Sequence, residues 1–158
     1  MKIFLASPLG FTESSRPFIS KIVEVLEAAG HAVFDPWTLA EPLAAELEQA
    51  KRISEEKQRR EELHKISMAI ARQNHERLVE ADGVLAVLDG TDVDSGTASE
   101  IGCAFGLGGK IINGYRGDFR QAGENEGCWV NLQVQYWIEM SGGDLYTSLA
   151  ALRKSRWE

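Results

Sequence analysis

The run Gly83-Val84-Leu85-Ala86-Val87-Leu88-Asp89 decides the fold of this chain. It stays apolar up to Asp89 and lacks the alternation of apolar and polar residues that a half-buried strand shows. A continuous apolar run of this length is typical of a central strand in a parallel sheet, which is buried on both faces. The run therefore predicts a parallel sheet with Asp89 at the carboxyl end of its central strand.

Four shorter runs before and after it are predicted to complete the sheet: residues 2–6, 31–37, 110–113 and 145–146. Pro36 ends the second of them, because proline cannot donate a ladder hydrogen bond.

Helical patterns separate these strands. Apolar residues recur at helical spacing from Phe18 to Leu26, after possible caps at Thr12 and Ser14 and before a stop at Gly30. Two helices, the second long, are predicted between residues 38 and 80, and another over 97–108, whereas 131–140 fits a helix or a strand. The alternation predicts an α/β fold, a doubly wound, flavodoxin-like parallel five-stranded sheet with helices on both faces.

Ligands of such sheets bind outside the carboxyl ends of the strands. Three loops follow predicted strands there, residues 7–12, 35–38 and 89–96. These loops are therefore expected to converge on one cleft.

Composition narrows the class of protein. The chain has 158 residues, 44% hydrophobic and 26% charged, which suits one globular domain over residues 1–158. No apolar run approaches membrane-spanning length, and the first residues are too brief for a signal peptide, so we expect a cytoplasmic protein without a membrane partner.

Charge and cysteine content exclude other classes. The formal net charge of -7 disfavours nucleic acid as a partner, because that binding draws on Lys and Arg contacts to phosphates. Cys103 and Cys128 form no CxxC pair and have no histidine at zinc-ligand spacing, so neither a disulfide framework nor structural zinc is expected. The pattern calls for no cofactor.

The loop after the central strand carries the chemistry. Asp89, Asp92 and Asp94 place three carboxylates at the expected cleft. Thr97, or Ser95 with Gly96 after it, can cap the next helix and thus put Glu100 in its first turn, where the helix dipole would keep the carboxylate ionised. Such a carboxylate can attack an anomeric carbon, although a glutamate in this position can also simply complete a capping box.

The segment Leu88-Asp89-Gly90 through Val93-Asp94-Ser95-Gly96-Thr97-Ala98-Ser99-Glu100-Ile101-Gly102 resembles the signature of nucleoside 2-deoxyribosyltransferases. Other parts of the chain resemble that family in the same order: Ile3 to Pro8, Asn74 ahead of Ala81-Asp82, Tyr115 to Arg120 followed by Asn131-Leu132, and Ser141-Gly142-Gly143. The likeness therefore covers most of the chain.

The resemblance implies a function and a set of site residues. Glu100 would attack C1′ of a 2′-deoxynucleoside, and a free nucleobase would resolve the deoxyribosyl-enzyme with retention. Asp94 and Asn131 would hold the 5′-hydroxyl, with Asn131 reaching in from a neighbouring subunit of a homo-oligomer. Asn74, and Asp89 or Asp94, would lie near the base. The remaining predicted binding residues are Gly96, Ser7, Phe11 and Trp37, although by pattern alone the two aromatic side chains are as often part of the core.

One residue departs from the family pattern. Members commonly carry a tyrosine in the first strand, whose hydroxyl orients the nucleophile, and this chain has Phe4 there. Tyr115, Ser7 or backbone groups are the candidates to replace it.

Two other functions remain open. A related hydrolase removes bases from deoxynucleoside 5′-monophosphates; Ser7 and Ser95 suit a phosphate, but Asp94 would repel one. A non-catalytic nucleotide-sensing domain could share the fold. The sequence does not decide between purines and pyrimidines.

Overall fold

The sheet consists of five parallel strands. A computed structural model describes residues 1–157, and its strands are β1 (Lys2–Ala6), β2 (Ala32–Phe34), β3 (Gly83–Val87), β4 (Ile111–Tyr115) and β5 (Leu145–Tyr146). Their order is β2-β1-β3-β4-β5 and every pairing is parallel, which is the flavodoxin-like order. The predicted fold class is confirmed, with the central apolar run as β3.

Within the described residues 1–157, seven helices and a short 3₁₀ helix at Pro8–Phe11 connect and cover the strands. The helices are α1 (Arg16–Ala28), α2 (Pro36–Leu39), α3 (Glu41–Ala50), α4 (Glu56–Glu80), α5 (Ser95–Leu107), α6 (Leu132–Met140) and α7 (Leu149–Leu152). In the part of the chain that the structure describes, none of them is both long and apolar enough to span a bilayer.

Alternate residues of the central strands belong to two apolar layers, one on each face of the sheet. Phe4 and Val84 pack toward α5 and α6, whereas Ile3 and Leu85 pack toward α1 and α7. This division follows from the two-residue period of a strand, whose successive side chains point to opposite faces. Helices therefore cover both faces of the sheet.

One segment differs from its sequence prediction, and the structure decides a second that the sequence left open. The second strand is shorter than residues 31–37, because the Asp35 carboxylate accepts the Trp37 N–H at 3.1 Å and starts α2. Residues 131–140, which fitted either element, form a helix capped by the Asn131 side chain. The two helices predicted over 38–80 are α3 and α4.

Candidate active site

One cavity of about 720 Å³ lies at the carboxyl ends of the strands. The chain runs from β1 outward to β2 and returns on the other side of β1 to β3, so the strand order reverses there. All three predicted loops contribute to the wall, through Ser7 and Phe11, through residues 35–38, and through Asp94 and Gly96. Helices α1, α3, α4 and α5 supply most of the rest, so the cavity is the crevice that this topology offers a ligand.

Glu100 lines this cavity from α5. The cap of α5 is Asp94, whose carboxylate accepts the Thr97 N–H at 3.0 Å. The expectation that Thr97 or Ser95 caps the helix is therefore wrong, and Glu100 lies beyond the first turn, away from the free N–H groups at the helix start.

The carboxyl of Glu100 is easier to protonate than expected. Burial raises its pKa, and the negative charge of Asp94 raises it further, to about 7. The dipole argument predicted a firmly ionised carboxylate, and it fails because desolvation outweighs a dipole effect that fades within one turn. A group with this pKa can be ionised for attack at neutral pH and protonated at slightly lower pH.

Asn74 brings an unpaired polar atom to the same cavity. It lies on α4, and its Oδ1 is buried without a hydrogen-bond partner within residues 1–157. A buried amide oxygen without a donor carries a desolvation cost that a ligand N–H can relieve. Asn74 is thus placed to accept a hydrogen bond from a bound molecule.

Trp37 anchors the first loop. Its indole N–H donates to the Ser7 carbonyl at 2.9 Å, and its ring lies against Gly10, where a Cβ would fall 2.0 Å from it. Phe11 meets that ring edge-on, with centroids 4.7 Å apart, and leaves 70% of its own surface exposed. Trp37 therefore shapes the wall, while Phe11 offers a free aromatic surface at the cavity.

Two predicted site residues lie elsewhere in this subunit. Asp89 is absent from the cavity wall, and its carboxylate accepts the backbone N–H of Asp118 at 2.9 Å. Asn131 caps α6 and donates through Nδ2 to Glu124 at 2.9 Å, also away from the cavity. The structure thus brings together Glu100, Asp94, Asn74, Gly96, Ser7, Phe11 and Trp37, but not Asp89 or Asn131.

The residues suggested to orient Glu100 in place of a first-strand tyrosine do not all lie at the cavity. Phe4 is wholly buried in the layer beside α5, and Tyr115 lies in the opposite layer against Phe18, away from the cavity wall. Ser7 does line the cavity. Within residues 1–157 no side chain or backbone group donates a hydrogen bond to the Glu100 carboxylate.

Sequence reasoning missed part of the wall. Arg16, Ser20 and Glu41 line the cavity, and the Arg16 Nε donates to the Gly10 carbonyl at 3.0 Å. Arg16 could have been found from the sequence, because it directly follows the first loop. Glu41 could not, because it lies on α3, and the packing of α3 over the cavity depends on tertiary structure. No cluster of three potential metal ligands occurs among residues 1–157.

Solved structures share this fold. A conserved protein from Enterococcus faecalis V583 superposes with a TM-score of 0.68 at 22% identity, over 98% of this chain and 96% of that one. A 2-deoxyribosyltransferase from Leishmania mexicana gives 0.64 at 19%, over 97% and 95%. A CMP N-glycosidase from Clostridium botulinum gives 0.55 at 18%, over 98% and 95%. Identities this low establish the fold alone.

Sequence comparison identifies the family. Comparison with curated protein sequences gave no significant match. A family model described as nucleoside 2-deoxyribosyltransferase, however, matches residues 3–133. This match includes every residue that lines the cavity. The chain therefore belongs to the nucleoside 2-deoxyribosyltransferase family.

Proposed function

We propose that this protein transfers 2-deoxyribose between nucleobases, with Glu100 as the nucleophile. The observation that carries the proposal is the Glu100 carboxyl, which lines a nucleoside-accommodating cavity without a protein donor and has a pKa of about 7. A carboxylate with these properties is available to attack carbon instead of being engaged in a structural ion pair. Family membership supplies the reaction class.

The chemistry is a double displacement. The ionised carboxylate of Glu100 forms a bond to C1′ while the C1′–N bond breaks, and the electron pair leaves with the base, which takes up a proton. A second base then attacks C1′ through nitrogen, releases the carboxylate and loses its proton. Two inversions give net retention, and water in place of the second base would give hydrolysis.

The cavity wall offers groups for sugar and base. Asp94 uses Oδ2 for the cap of α5, which leaves Oδ1 to accept from the 5′-hydroxyl. The unpaired Oδ1 of Asn74 suits an N–H of the base, and the exposed ring of Phe11 suits its face. Ser7 and Gly96 border the sugar side of the cavity in this arrangement. Asp89 is left out of the base site.

We further propose that a second copy of the chain completes the site with Asn131. In its own subunit Asn131 lies off the cavity, at the start of a helix whose outer face is apolar. Leu132, Tyr136 and Met140 follow one another at four-residue spacing along α6 and are each more than half exposed. A partner covering this stripe would bury it and bring Asn131 to the other subunit's sugar site.

The alternative function is hydrolysis of the N-glycosidic bond of deoxynucleoside 5′-monophosphates. It is favoured by Arg16, which lines the cavity and, within residues 1–157, uses only Nε in a hydrogen bond, so its terminal nitrogens are available to a phosphate. The Asp94 carboxylate opposes it, because two negative groups repel strongly in a cavity of low dielectric constant. We therefore place the neutral nucleoside first.

One experiment separates these functions. Purified protein is incubated with a deoxynucleoside, with and without a second free base, and in parallel with the corresponding 5′-monophosphate, and products are followed by chromatography. Exchange that requires the second base supports transfer, and release confined to the monophosphate overturns our assignment of Asp94. Arg16→Met should change the rate of nucleoside exchange by no more than about threefold. If Arg16 binds a phosphate, the same substitution should lower turnover of the monophosphate about tenfold or more.

A Glu100→Gln variant tests catalysis itself. The amide keeps the size of the side chain but cannot act as the nucleophile, so turnover should fall at least about a thousandfold. Unchanged turnover would rule out Glu100 as the nucleophile, whereas ligand binding by the wild type without any turnover would favour a sensing domain.

A further inference from the structure

Arg116 is a charged side chain buried at the carboxyl end of β4. Only 3% of it is exposed, and none of the ion pairs among residues 1–157 includes it. A guanidinium taken out of water needs compensating acceptors, because an uncompensated buried charge is strongly destabilising. The acceptors of its hydrogen bonds therefore indicate which part of the fold Arg116 stabilises.

The guanidinium of Arg116 binds three backbone carbonyls. Its Nη1 donates to the Leu88 carbonyl, and its Nη2 donates to those of Gly90 at 3.1 Å and Arg120 at 2.7 Å. Leu88 and Gly90 flank Asp89, directly after β3. One planar group thus binds both ends of the first turn of the loop that leads to Asp94.

Further bonds join the same loops. The Asp89 carboxylate accepts the Asp118 N–H at 2.9 Å, and the backbone N–H of Arg116 donates to the Tyr146 carbonyl at 2.8 Å. The turn itself requires Gly90, whose φ of 128° is rarely adopted by L side chains. The loops after β3 and β4 are therefore held as one unit, with Arg116 at its centre.

We propose that Arg116 is a positioning residue, which fixes the loop between β3 and α5 so that Asp94 and Glu100 face the cavity in a reactive arrangement. Its guanidinium is absent from the cavity wall. It acts through the carbonyls of Leu88 and Gly90. The same geometry makes Asp89 a structural partner of this loop.

The inference rests on the proposed function only for its kinetic test. If Arg116 holds the loop between β3 and α5 in position, replacing Arg116 allows the loop to move outward. That movement admits water to Glu100 and separates Glu100 from Asp94. Both changes lower the pKa of Glu100 from about 7 toward its ordinary value of 4.5. A loss of folded protein alone would reduce the rate without moving that pKa.

The test compares Arg116→Ala and Arg116→Lys with Arg153→Ala, which removes an exposed arginine from the end of α7. We expect both Arg116 variants to lower kcat about tenfold or more with KM within about threefold, because a lysine cannot span two carbonyls as a planar guanidinium does. The acid limb of the pH profile should move below 7. Guanidinium ions, well below denaturing concentrations, should restore part of kcat to Arg116→Ala and nothing to the wild type or Arg153→Ala.

Two further outcomes complete the design. Unchanged kcat and an unchanged acid limb in Arg116→Ala would overturn the proposal; if that variant does not fold, the same result in Arg116→Lys would do so. If the wild type turns over no nucleoside, the proposed function fails, and the positioning role is tested by nuclear magnetic resonance titration of the Glu100 carboxyl. A titration midpoint that Arg116→Lys leaves at the wild-type value would reject it.

Discussion

Asp94 caps the helix on which Glu100 lies, and its charge adds to the effect of burial on the Glu100 carboxyl. The two carboxyls share one cavity wall, one as a helix cap and proposed sugar ligand and the other as the proposed nucleophile. Because burial and, in addition, the charge of Asp94 keep the pKa of Glu100 high, removal of that charge should lower the pH at which the enzyme becomes active.

The first prediction concerns that pH dependence. Attack requires the ionised form of Glu100, so kcat/KM should rise with pH through an apparent pKa of about 7. Asp94→Asn keeps a good helix cap but removes the negative charge, and should shift this acid limb down by about half a unit to one unit. Asp92→Asn, at an exposed neighbour, is the control and should leave it unchanged. An unshifted limb in Asp94→Asn would show that burial alone sets the pKa.

Much of the fold was predictable because it depends on local pattern. The apolar run at β3 and the alternation of strands and helices sufficed for the parallel sheet and its cleft. Residues 131–140 stayed ambiguous because a short apolar segment has no distinctive period, and the cap of α5 was misassigned because Asp, Ser and Thr all cap well. Only the backbone conformation, which is non-helical at Asp94 with φ -54° and ψ 137°, selects one of them.

The site was predictable only in part, because the electrostatic environment of its side chains depends on tertiary contacts. The pKa of Glu100 depends on burial in a cavity whose wall includes Leu47 and Ile70 on distant helices. Arg116 gave no signal of its role because its partners are carbonyls, which every residue possesses. The predicted base contact of Asp89 stays a prediction: its carboxylate accepts the Asp118 N–H and lies off the cavity wall, which could not be foreseen from the sequence.

A second prediction links the same carboxyl to stability. The folded-state pKa of Glu100 lies above its ordinary value, so its contribution to stability is present below about pH 4.5 and is lost as the pH rises through about 7. Glu100→Gln should therefore be more stable than the wild type by about 1 to 3 kcal/mol near pH 8, and the gain should shrink toward acid pH. Urea unfolding at several pH values measures this; Glu76→Gln, at an exposed position, should show no such trend. A gain that is independent of pH would contradict the raised pKa.

A third prediction tests the shared site by mixing subunits. Glu100→Gln and Asn131→Ala should each be nearly inactive, but a mixed dimer contains one site with an intact Glu100 and an Asn131 from the other chain. If subunits exchange freely, an equal mixture should recover about a quarter of the wild-type activity, because half of the dimers are mixed and each has one good site. Activity that stays at the mean of the two variants would place Asn131 outside the neighbour's site.

A fourth prediction concerns the contact of Gly10 with Trp37. Gly10→Ala puts a methyl group 2.0 Å from the Trp37 ring, so the ring or the first loop must move. We expect a loss of about 1 to 3 kcal/mol in the free energy of unfolding and a rise in KM, since the loop carries Ser7 and Phe11. Gly106→Ala, on an exposed turn of α5 with nothing within 4 Å, should be neutral or stabilising. Equal behaviour of the two variants in urea unfolding and kinetics would refute the role of this contact.

The last prediction addresses Phe4, which stands where relatives commonly carry tyrosine. Phe4 is wholly buried in the layer that includes Ile101, and the Glu100 carboxylate has no hydrogen-bond donor within residues 1–157. In Phe4→Tyr the new hydroxyl should donate to Glu100, which lowers its pKa, moves the acid limb of kcat/KM below 7 and raises kcat. Phe34→Tyr adds the same hydroxyl to a neighbour of this layer, beside Arg77, and should leave the acid limb in place. If the acid limb of kcat/KM in Phe4→Tyr stays at about 7 and the free energy of unfolding falls by about 1 to 3 kcal/mol, the new hydroxyl forms no hydrogen bond. In that case position 4 serves only the core, and Glu100 is oriented by the loop that Asp94 ends.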